Sequence, residues 1–109
     1  MESKTQLNKS LGALSSIIST QIGEDIDSFT MVYDLNEETL KFFVKNKTIE
    51  SGNAILKGLI KAQLAVFGKK IQGKIYKIHI DKNNEESVSL LHVRFNNGRK
   101  EIININELN

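Results

Sequence analysis

From Lys74 to Asn106 apolar and polar residues alternate with a period of two, and turn-forming stretches interrupt the alternation twice. A period of two is the mark of β-strands that bury one face. It predicts three strands, Lys74 to Lys82, Ser87 to Phe95 and Lys100 to Asn106. Asn97-Gly98 separates the last two, and both residues tolerate the positive φ of a type I′ turn. A two-residue loop there sets Val93 opposite Ile102 and Arg94 opposite Glu101, the latter a charge match across the ladder. A four-residue loop at Asn83 to Glu86 sets Ile78 opposite Leu91 and Tyr76 opposite Val93. One face then collects Tyr76, Ile78, Ile80, Leu91, Val93, Phe95 and Ile102, and this face is expected to be core. A slip of one residue would scatter the set over both faces.

The opposite face collects Lys77, His79, Val88, Leu90, His92, Arg94, Glu101, Ile103 and Ile105. Antiparallel sheets with one solvated face are normally more polar there. Such a half-apolar face calls for a cover. The candidates are the chain's own N-terminal helix, a second copy, or a foreign protein.

Three further elements precede the sheet. Ser3 to Ile22 reads as a helix, because Leu7, Leu11, Leu14 and Ile18 recur at intervals of four, three and four. Ser3 and Gln6 fit a capping box and Gly23 an αL stop. The stripe fits either a core face or a seam with a partner helix. Asp27 to Asn46 reads two ways. As a hairpin, Phe29, Met31, Tyr33 and Leu35 alternate on one strand and Leu40, Phe42 and Val44 on the next, with Asn36 to Thr39 as the turn. As a helix, Asn36 caps a run containing Leu40, Phe43 and Val44. Aromatic and β-branched enrichment favours the hairpin. Asn53 to Phe67 reads as a largely buried helix, capped by Ser51 or Asn53 and ended by Gly68.

A chain of 109 residues, 39% hydrophobic and 26% charged, fits a single globular domain over 1–109. The absence of cysteine removes disulfides, zinc ribbons and thiol nucleophiles. Without a signal-like N-terminus or a long apolar run, a cytoplasmic protein with no membrane association is expected. The abundance of Lys, Asn and Ile is the habit of a low-GC genome, bacterial or viral. Net charge is only +2, but it is unevenly spread. Glu24, Asp25, Asp27, Asp34, Glu37 and Glu38 form an acidic block, and Lys57, Lys61, Lys69, Lys70, Lys74, Lys77 and Lys82 a basic one.

Chemistry-bearing motifs are sparse. The sequence carries no nucleophile elbow, HExxH, P-loop or dinucleotide fingerprint. His79 and His92 are expected to be diagonal neighbours with Asp81 and Glu101 in reach, but two strand histidines are ordinarily just that. Neither a catalytic residue, a metal nor a cofactor is assigned.

The run Gly73 to Leu108 resembles the G-x-I, V-x-F-x-N-G and I-x-x-x-x-L rhythm of SH3-like and Tudor-like barrels. The aromatic cage of Tudor domains has no counterpart here. The element order is similar to profilin-like and roadblock-like sandwiches, which implies a dimeric scaffold; this is a resemblance of order alone, and no residue role follows from it.

The sequence therefore predicts an α+β domain of order α-β-β-α-β-β-β, its C-terminal three-stranded antiparallel meander packed on a buried helix. The alternative is a helical N-terminal half with an SH3-like small barrel at 71–108. The expected function is non-enzymatic protein–protein interaction as adaptor, scaffold or inhibitor, with a protein partner or a homodimer. Leu90, His92, Arg94, Ile103 and Ile105 are the expected contacts. The alternative is nucleic-acid binding through Lys57, Lys61, Lys69, Lys70, Lys74 and Arg99, with Arg94 beside them.

Overall fold

The computed structural model describes residues 28–83 and 86–107, together with Ser16, Ser19, Thr20, Ile22, Gly23 and Ile26, and only the backbone at Glu86 and Asn106. Six strands and a helix follow one another: β1 (Ser28–Asp34), β2 (Thr39–Val44), β3 (Lys47–Ser51), α1 (Ala54–Ile71), β4 (Lys74–Asn83), β5 (Glu86–Arg94) and β6 (Lys100–Asn104). A 3₁₀ turn, Ile105–Glu107, closes the described chain. The fold is α+β. All six strands join one antiparallel sheet in the order β3-β2-β1-β4-β5-β6. The barrel alternative fails here, because β4 is paired along its length with β1 and the last three strands continue the first three.

Asp27 to Asn46 is the hairpin rather than the helix. Phe29, Met31 and Tyr33 on β1 and Leu40, Phe42 and Val44 on β2 are all buried, as their alternation requires. The turn lies one residue earlier than expected, since Thr39 already pairs with Asp34. Asp34 organises it: its Oδ1 accepts from the N–H of Asn36 at 3.0 Å and of Glu37 at 3.1 Å. Strand β3 was not anticipated. Lys45 and Asn46 form its two-residue turn with φ of 46° and 66°, the pair of positive values that a type I′ corner needs.

Helix α1 starts where expected: Asn53 Oδ1 accepts from the Leu56 N–H at 3.1 Å. It continues through Gly68 to Ile71 and ends on Gln72 at φ 57°. Leu56, Ile60, Leu64 and Phe67 press into the sheet's inner face beside Met31, Tyr33, Ile78, Ile80, Leu91 and Val93. Each such side chain contributes about 1.5–3 kcal/mol by leaving water. One flank is tied down by the β1–β2 turn, where Lys57 Nζ donates to the Glu38 carbonyl and Lys61 Nζ meets Glu38 Oε1, each at 3.0 Å.

Ser16, Ser19, Thr20 and Ile22 are helical, and Gly23 ends that helix at φ 83° with its N–H on the Ser19 carbonyl. The rest of the helix expected over residues 3–22 lies outside the described residues. Ile26 is core and Ile22 packs against it. This end of the segment therefore meets the inner face, not the outer face that it was one candidate to cover.

Two register expectations change. The β5–β6 connection is a three-residue loop, with Phe95 N–H on the Arg99 carbonyl and Gly98 at φ 84°. Three residues with glycine in the left-handed position are the other favoured hairpin loop. The pairs become His92–Ile102, Val93–Glu101 and Arg94–Lys100, one residue away from the expected set. Ile102 thus turns outward, and Ile103 and Ile105 turn to the core. Along β4–β5, Ile78 faces Leu91 as expected, but a bulge at Tyr76 lets Ile75 take the place opposite Val93.

Candidate functional site

The outer face of the sheet is set by register. Reading across strands, Thr48, Phe43, Thr30, Asp81 and Val88 form one row. Glu50, Lys41, Val32, His79, Leu90 and Asn104 form the next. Thr39, Asp34, Lys77, His92 and Ile102 form a third, and Lys74, Arg94 and Lys100 a fourth. Apolar groups thus recur in three of the four rows, among charges of both signs.

The bulge adds Tyr76 to this face. Its ring stands edge-on to His92 with centroids 6.0 Å apart, and Lys100 Nζ lies 5.8 Å from its centre. Tyr76, His92, Lys100, Glu101 and Ile102 line a shallow cleft there. Partial burial holds the His92 imidazole below the usual histidine range, and the neighbouring Lys77 and His79 add to the effect. Further along the sheet, Asp81 Oδ1 accepts from Thr30 Oγ1 at 2.7 Å and lies 3.3 Å from His79 Nε2. The two histidines are diagonal neighbours as expected, but Glu101 is drawn off to Arg99 at 2.9 Å. Among the described residues no three His, Asp or Glu side chains gather as metal ligands would.

The expected contact residues divide. Leu90 and His92 are half-buried on the outer face, and Arg94 is exposed beside Lys74 and Lys100. Ile105 is only 4% exposed and Ile103 packs against the core, so neither reaches that face. The basic residues of the alternative are only partly brought together. Lys57 and Lys61 serve Glu38, while Lys61, Lys69 and Lys74 line an open cleft with Leu35, Gly68 and Asn96. Lys70 is exposed in the last turn of α1. Arg99 pairs with Glu101 and lies 4.9 Å over the Phe95 ring.

Val32, Phe43, Tyr76 and Ile102 were missed. The available signal was the apolar doublet. Met31-Val32, Phe42-Phe43 and Ile102-Ile103 each put two apolar residues in succession, and a strand sends successive side chains to opposite faces; Tyr76 carries no such signal, because a bulge turns it outward.

Among the described residues no helix is long and apolar enough to cross a membrane. Comparison with protein-family models, with curated proteins and with solved structures found no match to this chain.

Proposed function

We propose that this chain is a small non-enzymatic protein-interaction domain that binds through the outer face of its sheet. One observation carries the reading. Phe43, Val88 and Ile102 stand 42%, 44% and 60% exposed on the face that also presents Val32 and Leu90, so apolar surface runs from β2 to β6. Between them Asp81 is taken up by Thr30 and His79, contacts that hold β1 to β4. A foreign protein and a second copy both fit an apolar face. Lys74, Lys77, Arg94 and Lys100 at one end favour a partner whose apolar surface is rimmed by acidic groups.

Light scattering of the chain over a concentration series, then of chain plus captured partner, tests this. Leu90→Asp and Val88→Asp are expected to abolish association while the circular dichroism stays native. Association that survives both substitutions sinks the reading. A second reading, binding of single-stranded nucleic acid, is favoured by Tyr76, an outward ring among Lys77, His92, Arg94 and Lys100. Its signature is affinity for an oligonucleotide that falls steeply with salt and is lost in Tyr76→Ala.

A further inference from the structure

We propose that the open cleft beside the C-terminal half of α1 binds a small phosphate monoester with an apolar body. The cleft lies between α1, the chain leaving β1 at Leu35, the start of β4 and Asn96. It holds about 660 Å³, within the range of small-molecule sites, roughly 300–1,000 Å³. Two glycines shape its wall. Gly68 and Gly73 both line it, and a Cβ on Gly68 would stand 3.0 Å from the Gly73 carbonyl oxygen. With no side chain at either position, helix and strand approach closely and that wall stays bare.

Charge selects the ligand. Leu35, Leu64, Ala65 and Ile75 supply apolar lining, and the charged lining is Lys61, Lys69 and Lys74. The chain has 13 acidic residues, yet none of the described residues lining this cleft is Asp or Glu. Lys61 is shared with Glu38 at 3.0 Å. Lys69 and Lys74 are exposed, and neither ammonium group has an acid partner among the described residues. Two unneutralised ammonium groups and a third partly neutralised call for about two negative charges, which a phosphate monoester carries at neutral pH. A planar carboxylate is matched best by the arginine fork, and none of the described lining residues is arginine. Lysine is a compact point charge that suits the oxygens of a phosphate. The C-terminus of α1 opposes an anion with about half a charge at most. That end is muted here, because the Gly68 carbonyl already accepts from the N–H groups of Gln72 and Gly73, the latter at 3.1 Å. The cleft adjoins α1 rather than the outer face, so ligand binding and partner binding can fail separately.

Phenyl phosphate titrated into the isotope-labelled full chain is the test, with inorganic phosphate as the control for charge alone. Amide resonances of Leu35, Ala65, Gly73 and Asn96 are expected to shift together. Phenyl phosphate is expected to bind at least about threefold tighter than inorganic phosphate, because its ring leaves water against the apolar lining. Lys69→Glu is expected to weaken binding about fivefold or more. Ala65→Leu adds bulk to the cleft without changing charge and is expected to weaken it as well. Both positions are exposed, so the fold survives either change. Glu38→Gln removes the competing carboxylate from Lys61 and is expected to tighten binding. Lys74 also stands in the outer-face row beside Arg94, so it is left unaltered. Absence of binding overturns the proposal. So do equal affinities for the two phosphates, shifts scattered over all the lysines, or indifference to Ala65→Leu, each of which is the mark of diffuse attraction to surface charge.

Discussion

Gly73 shows how a single residue fixes the junction between α1 and β4. A Cβ at this position would stand 2.6 Å from Val93 Cγ1 and 3.1 Å from the Phe95 ring, well inside contact distance. Both neighbours are packed, so neither has room to give. Gly73→Ala is therefore expected to cost about 1–3 kcal/mol, seen as a lower urea midpoint at unchanged slope. An unchanged midpoint would mean that the helix end moves freely against β5. The same scale explains a failure of sequence reading. Tyr76 is indistinguishable from a core aromatic by composition, and only the bulge beside it turns its ring outward toward His92 and Lys100. A bulge is one residue of surplus length, and alternation alone does not register it.

Among the elements, the β5–β6 hairpin is the instructive one. Its existence was legible from Asn97-Gly98 and the alternation on either side, but its loop length was not. The two-residue and three-residue loops use the same glycine and differ by one in register. That difference exchanges the faces of Ile102 and Ile103. Adjacent substitutions should consequently behave oppositely. Ile103→Asp is expected to destabilise the fold by about 2 kcal/mol or more, because a charge would enter apolar surroundings. Ile102→Asp is expected to stay within about 0.5 kcal/mol of the parent. Thermal melts of the two variants decide the matter, and a larger loss in Ile102→Asp than in Ile103→Asp would restore the two-residue loop. Strand β3 was lost for a related reason. Lys45 is not a turn-signature residue, yet it sits at φ 46° because pairing of β3 with β2 holds it there.

At the scale of the whole molecule, the sheet is one body divided by α1 only in sequence. β1 pairs with β2 on one side and β4 on the other, so the segment after Gly73 gains its central hydrogen-bonding partner from the first half. Its apolar face is covered by α1 and continued sideways by Phe29, Met31 and Tyr33 on β1. Residues 71–109 made alone are expected to stay unfolded, with random-coil circular dichroism and collapsed amide dispersion. A dispersed spectrum would instead make them an independent barrel.

Local chemistry was enough to determine the α+β class, to favour the β1–β2 hairpin, and to find the N-cap of α1 and most of the inner face, but not where α1 ends. Each rests on short-range spacing that no distant contact contradicts: Phe29, Met31 and Tyr33 alternate, and Asn53 accepts from Leu56 whatever lies beyond. Tertiary structure decided which apolar side chains are left in solvent. It placed Ile105 in the core, turned Ile102 and Tyr76 outward, and left Ile55, Leu59 and Val66 in solvent on a helix that reads as largely buried. The reason is physical: spacing fixes which side chains share a face. Which face is covered depends on loop lengths, bulges and neighbouring elements that settle only when the whole sheet pairs.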